Sequence, residues 1–485
     1  MSKPFYITTT IPYVNADPHI GFALELVQAD IVARYKKLRG FDVFFNTGTD
    51  EHGIKIYRKA VEMGQETKLY VDAYAEKFKG LATVLGLSEG INFIRTTDPH
   101  HKVAAREFWK RCLEAGDIYK KNYKIKYCVG CELEKTDSEL VNGKCAVHPN
   151  LELEIIEEEN YFFRLSNYQK KLLALYESRK DFVVPEFRLN EIHSLIKEKG
   201  LEDFSISRLK EKMPWGVSVP DDDLHVMYVW FDALVNYISA IGWPDDMEKF
   251  KKWWPVVQFA GKDQVRQQAV MWQAMLMSVG IEPSKQVVIH GFITSGGQKM
   301  SKSLGNVVDP VAIVNEYGTD VLRYYLSRHI HPFEDSDFTM EKFKDVYNAN
   351  LANGLGNLVS RVMKMATANG IKFDLKIAKE FAASKEADTL YKKQTENFEK
   401  YNILEAVNAV WELIGITDGL IQSRQPFKKI KENKEGGEED IKELLARIDF
   451  IGNMLVPILP ETSAKIISLV KNSEMPKVPL FPRRD

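Results

Sequence analysis

Two strand–helix–strand patterns, one opening at Phe5 and the other at Leu224, constrain this chain more than any other feature of its sequence. Parallel strands need a crossover of a dozen or more residues, usually a helix. Sheets built this way collect ligands at the carboxyl ends of their strands. In the first pattern Phe5-Tyr-Ile-Thr-Thr-Thr-Ile11 reads as a strand, Pro12 to Pro18 as a loop, and residues 18–39 as one amphipathic helix. Asp17 is the expected N-cap, with Pro18 at the first helical position. Lys36-Lys-Leu-Arg39 before Gly40 gives the stop signal. Phe41–Phe45 is a buried strand, residues 54–64 are a helix, and 67–116 read as helical. In the second pattern Leu224–Phe231 is a strand and Asp232–Tyr237 begins a helix. Val256–Ala260 is the next strand, residues 264–279 a helix, and Gln286–Ile293 a further strand. Residues 117–223 break the pattern and read as an insertion between two halves of one sheet.

The insertion holds a second constraint. Three of the four cysteines fall within an 18-residue span beside a histidine. Cys128-Val-Gly-Cys131 and Cys145-Ala-Val-His148 give the spacing C-x2-C-x13-C-x2-H, two paired-ligand turns able to complete a tetrahedral zinc site. Four protein ligands leave no open position, so such a zinc is structural. Cys112 lies apart and reads as a buried helix residue. A net charge of −2 excludes a global polycation, so any nucleic acid must be met by local patches. No apolar run is long enough for a membrane helix, and Met1-Ser2-Lys3-Pro4 leads straight into a strand without a signal-peptide pattern. A cytoplasmic location, with no membrane partner, is the expectation.

Three stretches carry candidate chemistry. His19-Ile-Gly-Phe22 lies in the opening turn of a helix, where unpaired N–H groups favour an anion; alone it fits an ordinary helix start as well. Gly296 and Gly297 precede Lys299-Met-Ser-Lys-Ser303, a loop with two lysines that suits a polyphosphate; alone it fits an exposed polar loop. The two together, with half-sheets between them, point to a nucleotide. Asp50, within Thr47-Gly-Thr-Asp-Glu-His-Gly53, could hold a substrate ammonium or cap the next helix. Tyr317–Leu326 reads as a helix. From Phe343 to the 470s the pattern is helical, broken by an expected solvated loop at 433–440, and reads as a separate bundle. Pro476–Pro482 is expected to be extended and to pack back.

With these residues on the page, the chain resembles the methionyl-tRNA synthetases of the class I aminoacyl-tRNA synthetases, over essentially its whole length. Thr47–Gly53, Tyr228-Val-Trp-Phe-Asp-Ala233, Gly261-Lys-Asp263, the Lys299–Ser303 loop and the single zinc knuckle match in order. The resemblance implies an α/β fold. A Rossmann-like parallel-sheet catalytic domain (1–116 and 224–295) is split by a zinc-binding connective insertion (117–223). A mobile-loop and stem-contact region (296–342) and an all-α helix-bundle anticodon-binding domain with a C-terminal tail (343–485) follow. It implies an ATP-dependent ligase that makes methionyl-adenylate and pyrophosphate, then transfers methionyl to the 3′ terminal adenosine of tRNA(Met). Mg2+ would accompany ATP, and one Zn2+ would be structural.

Residue by residue, the resemblance assigns His19, Gly21, Lys299 and Lys302 to the ATP phosphates and catalysis. Gly261 and Asp263 fall near the ribose, and the backbone at Ile293 near the adenine. Asp50 takes the methionine ammonium, while Ile11, Tyr13, Trp230, Ala233, Leu234, Tyr237 and Gln268 line the thioether pocket. Asn357, Arg361 and Phe427 fall at anticodon-reading positions. Three positions depart from the family: Phe22 replaces a signature histidine, Gln268 a pocket histidine, and Phe427 a stacking tryptophan. The chain ends soon after the bundle, without the additional tRNA-binding domain of dimeric relatives, so a monomer is expected. Two other readings are a small nucleotidyltransferase, against which the knuckle and bundle argue, and a non-catalytic RNA-binding relative, prompted by Phe22.

Overall fold

The computed structural model describes residues 2–131, 133–135, 139–300 and 305–484. Its main sheet has six strands in the order Asn92–Arg95, Asp42–Thr49, Pro4–Thr8, Val256–Gly261, Gln286–His290, Val183–Val184. Pro4–Thr8 runs parallel to both of its neighbours, and the outer pairs 42–49/92–95 and 286–290/183–184 are parallel too. Phe5 to Thr8 and all of Val256–Gly261 are buried, the near-continuous apolar pattern of a sheet covered on both faces. The chain enters mid-sheet, moves out to one edge and returns on the other side of its first strand. The order therefore reverses between Pro4–Thr8 and Val256–Gly261, where open sheets of this kind bind ligands. Thr9–Tyr13, Asp50–Gly53 and Lys262–Asp263 all follow the carboxyl ends of these central strands.

Several elements differ from the sequence reading. Residues 67–116 form two helices, Thr67–Val84 and Pro99–Glu114, separated by the edge strand Asn92–Arg95. Gly86 and Gly90, at φ 58° and 78°, turn the chain between them. The strand at Leu224 covers Asp222–Met227, and the helix begins at Val229. That strand belongs to a separate antiparallel sheet with Ser207–Leu209 and Ser218–Val219. A strand-like local pattern does not name the sheet that the strand joins. The insertion, in turn, supplies Val183–Val184 to the parallel sheet. Residues 264–279 are a short 3-10 turn, a π-helical turn (Arg266–Met271) and an α-helix (Trp272–Ser278). The strand at Gln286 stops at His290, and Ile293–Ser295 joins a small sheet with Gln298–Lys299 and Ser336–Phe338. Gly291 marks the break: a Cβ there would lie 2.1 Å from the backbone carbon of Glu334.

The chain divides into two compact units, residues 1–18, 41–80 and 89–289, and residues 19–40, 81–88 and 290–485. In the first, Phe108 stacks on Trp272 with ring centroids 5.7 Å apart and meets Phe231 edge-on at 5.8 Å. The second contains the helix Ile20–Leu38, the small sheet and the helices from Pro310 to Asn472. Its expected loop at 433–440 is helical instead, the start of Lys434–Leu455, capped by Asn433 accepting from Gly436 N. A Cβ at Gly437 would sit 2.4 Å from Ile430 Cα, so the glycine pair lets two helices approach closely. The C-terminal segment packs back as expected, with Phe481 buried against Tyr347. No helix among the described residues is long and apolar enough to cross a membrane.

Candidate active site and metal centre

The knuckle residues converge. The ligand atoms of Cys128, Cys131, Cys145 and His148 all lie within 4.8 Å of one another, with Cys131 Sγ 3.5 Å from Cys145 Sγ and 3.2 Å from His148 Nδ1. Zinc–sulfur bonds of about 2.3 Å give tetrahedral edges of about 3.8 Å, which this cluster matches. All four thiols of the chain are free. Gly130 is required in the first turn, because a Cβ there would lie 2.6 Å from the His148 ring. Burial and the Cys145 contact push the Cys131 thiol up to about 12. Burial opposes ionisation of Cys145 too, but the backbone N–H groups of His148 and Val147 outweigh it and lower that pKa. A cation bound here would displace the thiol protons. Three sulfurs and one imidazole fit a zinc site.

In the first unit, Asp50 follows the strand Asp42–Thr49 and pairs with the loop after the central strand. Asp50 N donates to Pro12 O at 2.9 Å and Val14 N to Asp50 O at 3.3 Å, so Tyr13 lies beside Asp50. Tyr13 meets Trp230 edge-on, centroids 6.1 Å apart. Trp230, Ala233 and Leu234 come from the buried helix Val229–Leu234, and Tyr237 follows on Asn236–Ser239. Ile11 is half-buried and packs on the same apolar cluster. A buried carboxylate thus adjoins an aromatic wall, an arrangement able to hold a cation at one end and an apolar chain at the other. Gln268 sits on the π-helical turn; its Oε1 accepts from Gln258 Nε2 at 2.9 Å and its Nε2 donates to Gln264 Oε1 at 3.3 Å. Its side chain is fixed within a glutamine network. Gly261 is buried and Asp263 exposed at the end of the strand Val256–Gly261.

The sequence reading assigned no role to the neighbours that fix Asp50. Glu51 is fully buried, and its carboxylate takes Arg95 through two nitrogens at 2.6 and 2.9 Å and Thr49 Oγ1 at 2.8 Å. Trp215 Nε1 donates to Glu51 O at 2.6 Å. His52 Nδ1 lies 2.8 Å from Asp232 Oδ2, and His101 Nε2 3.2 Å from Asp232 Oδ1. Burial alone opposes ionisation of Asp232, yet His52 and His101 hold its carboxyl below the ordinary range. The one available signal was the run Asp50-Glu-His52 itself, three polar residues at the end of a buried strand.

In the second unit the helix begins at Ile20, and its N-cap is His19, not Asp17: His19 Nδ1 accepts from Gly21 N at 3.0 Å. Asp17 pairs with Lys77 instead, at 2.6 Å. An accepting Nδ1 leaves Nε2 as the N–H donor of the neutral ring. Gly21 is needed for this cap, since a Cβ would lie 2.8 Å from the His19 ring. Phe22 packs on the imidazole with centroids 4.6 Å apart. Ile20 N donates to Val308 O at 3.1 Å, which ties the start of this helix to the chain five residues past Ser303. Lys299 lies on the strand Gln298–Lys299, paired with Thr294 next to Ile293. Lys302 lies outside the described residues. Asn357 and Arg361 are one turn apart on Asn357–Ala368, with Arg361 Nη1 2.6 Å from Asp418 Oδ1. Phe427 is 44% exposed, with Lys428 over its ring.

Known proteins similar to this chain give its family. The family profile described as tRNA synthetases class I (M) matches residues 5–152 and 130–363. The chain is 42% identical over 487 residues to the methionine–tRNA ligase of Thermotoga maritima, covering 97% of this chain and 76% of that protein. It is 40% identical over 476 residues to that of a Nostoc species, covering 96% and 89%. It superimposes on the Mycobacterium tuberculosis methionyl-tRNA synthetase in complex with methionyl-adenylate with a TM-score of 0.91 at 36% identity, covering 99% and 100% of the two chains. A family-profile match spanning residues 5–363, near-full-length relatives well above 30% identity and a shared fold leave one conclusion: the chain belongs to the methionyl-tRNA synthetases of class I.

Proposed function

We propose that this methionine–tRNA ligase holds methionine in the first unit, with Asp50 on the α-ammonium and Ile11, Tyr13, Trp230, Ala233, Leu234 and Tyr237 around the thioether. Gln268 borders that pocket through its fixed amide. Gly261 and Asp263 serve the ribose, and the backbone at Ile293 the adenine. His19, Gly21, Lys299 and Lys302 serve the phosphates. The methionine carboxylate oxygen attacks the α-phosphorus in line, a new P–O bond forms, and the bond to the β-phosphate oxygen breaks as pyrophosphate leaves. A ribose hydroxyl of the terminal adenosine of tRNA(Met) then attacks the methionyl carbonyl, and AMP leaves. The protein contributes placement and positive charge. His19 Nε2–H is a ready donor, because its Nδ1 is already committed to Gly21 N. Mg2+ accompanying ATP would supply positive charge to the phosphate oxygens. Zn2+ on Cys128, Cys131, Cys145 and His148 braces the 117–223 insertion. Asn357, Arg361 and Phe427 read the anticodon on the 343–485 bundle, beyond a stem-contact region at 296–342 and the catalytic halves 1–116 and 224–295. The protein acts as a cytoplasmic monomer.

The observation that carries the methionine site is the Tyr13–Asp50 backbone pairing, with Tyr13 edge-on to Trp230. ATP–pyrophosphate exchange measured across several amino acids tests it. Methionine should support exchange, Asp50→Asn should raise the methionine KM at least tenfold, and Lys302→Ala should lower kcat with little change in that KM. Exchange driven by a different amino acid would overturn the substrate assignment.

A further inference from the structure

The four residues His52, Asp232, His101 and Ser239 form a chain in the first unit that the reaction itself does not use. Each is at most 2% exposed. Asp232 Oδ2 faces His52 Nδ1 at 2.8 Å, Asp232 Oδ1 faces His101 Nε2 at 3.2 Å, and His101 Nδ1 lies 3.0 Å from Ser239 Oγ. The chain joins three elements. His52 belongs to the loop of Asp50, and its backbone N–H donates to Asp50 Oδ1 at 3.3 Å. Asp232 sits between Trp230 and Ala233 on the helix Val229–Leu234, and Ser239 follows Tyr237 by two residues. His101 comes from the helix Pro99–Glu114, so it grips the pocket segment on both sides of Tyr237.

We infer that Asp232 is a positioning residue that holds the ammonium-binding carboxylate of Asp50 and the side-chain pocket at one fixed spacing, so that the site measures the length of the amino acid. This rests on the reading of Asp50 and Trp230 given above. A buried polar bridge is a poor source of stability compared with well-packed apolar groups, but its directional hydrogen bonds set the registry of the elements that it joins. The two ends of an unbranched amino acid differ from a homologue only in their separation. An apolar pocket alone discriminates one methylene by about 10–200-fold. That discrimination survives only if the wall cannot slide relative to the charged end. Asp232 bridges the Asp50 loop and the pocket helix, and each of its two carboxylate oxygens is taken by a histidine from a different element. Tyr13 adds a second contact to Trp230, but through ring edges that tolerate sliding.

The test is ATP–pyrophosphate exchange by the full chain with methionine and with ethionine, its homologue one methylene longer. Asp232→Asn keeps shape and loses the charge. It should raise the methionine KM about tenfold or more, leave the ATP KM within about twofold, and lower the preference for methionine over ethionine about tenfold. His52→Gln should act in the same direction and carries the test if Asp232→Asn does not fold. A merely structural role would lower the active fraction and melting temperature while leaving both KM values and the preference unchanged; that result overturns the inference. Asp50→Asn separates the two levels. If it leaves the methionine KM unchanged, the ammonium site itself is misassigned and the inference falls with it. If it raises that KM while Asp232→Asn and His52→Gln do not, only the inference falls.

Discussion

At the scale of single residues, the signature histidine is held from two sides. Gly21 N fixes its Nδ1, and the Phe22 ring lies 4.6 Å from its own. Phe22 therefore does more than omit an imidazole: it packs the one that remains. An aromatic pair contributes about 0.5–1.5 kcal/mol beyond its buried area, or roughly two- to twelvefold in a rate. Phe22→Ala should lower adenylation kcat by about that factor with the methionine KM unchanged, as read by pyrophosphate exchange. His329 offers a pH prediction. Burial, with Arg328 and Lys342 nearby, lowers its pKa to about 4. A depressed histidine binds fewer protons folded than unfolded, so its neutral form stabilises the fold above pH ~6.5 and that contribution fades as pH falls towards 4. The whole effect is at most about 3 kcal/mol and is discounted by partial exposure. Urea unfolding between pH 7 and 4.5 should show the loss, and His329→Asn should flatten it.

Among elements, the knuckle and the glycine pair make contrasting demands. The knuckle has short strands, and of its ligands only Cys128 and Cys145 are buried, with Cys131 and His148 partly exposed. Small modules of this kind draw their folding energy from the metal. Cys128→Ser, or a strong chelator, should strip zinc and unfold residues 128–148 while the helical bundle stays intact. Metal analysis and hydrogen exchange by segment would report this. Gly437 makes the opposite demand, for space. A methyl there would meet Ile430 backbone at 2.4 Å, and backbone cannot rotate away as a side chain can. Gly437→Ala should lower stability by about 1–3 kcal/mol in thermal or urea unfolding, against the usual gain from alanine in a helix. The expected loop at 433–440 failed for this reason. Paired glycines between charges read as a break in a sequence, and only a packed neighbour reveals them as a close approach.

Across each compact unit, a few buried polar groups join segments far apart in the chain. In the second unit, Arg323 is fully buried and lies 2.9 Å from Asp30 on the helix that follows His19. The nitrogen that faces Asp30 also donates to Pro457 O, and the other two donate to the carbonyls of Leu85 and Ile458. Arg323→Met should cost about 3–5 kcal/mol, chiefly by leaving Asp30 short of a partner in the interior. Pairing it with Asp30→Asn should recover part of that loss in a double-mutant cycle of urea unfolding. What the sequence determined by itself was set by local periodicity and spacing. The parallel-sheet architecture, the Cys128–His148 cluster and the helical bundle follow from residues close together in the chain, whereas the roles expected of His19, Asp50 and Trp230 rest on the family resemblance. Tertiary structure alone decided what depends on distant neighbours. It made Val183–Val184 an outer strand of the main sheet, put Asp222–Met227 in another sheet, gave His19 the cap expected of Asp17, and joined His52, His101 and Asp232. A strand's local pattern does not name its partner, and a polar residue carries no mark of whether its counterpart, 180 residues away for His52 and 131 for His101, is a solvent molecule or a carboxylate.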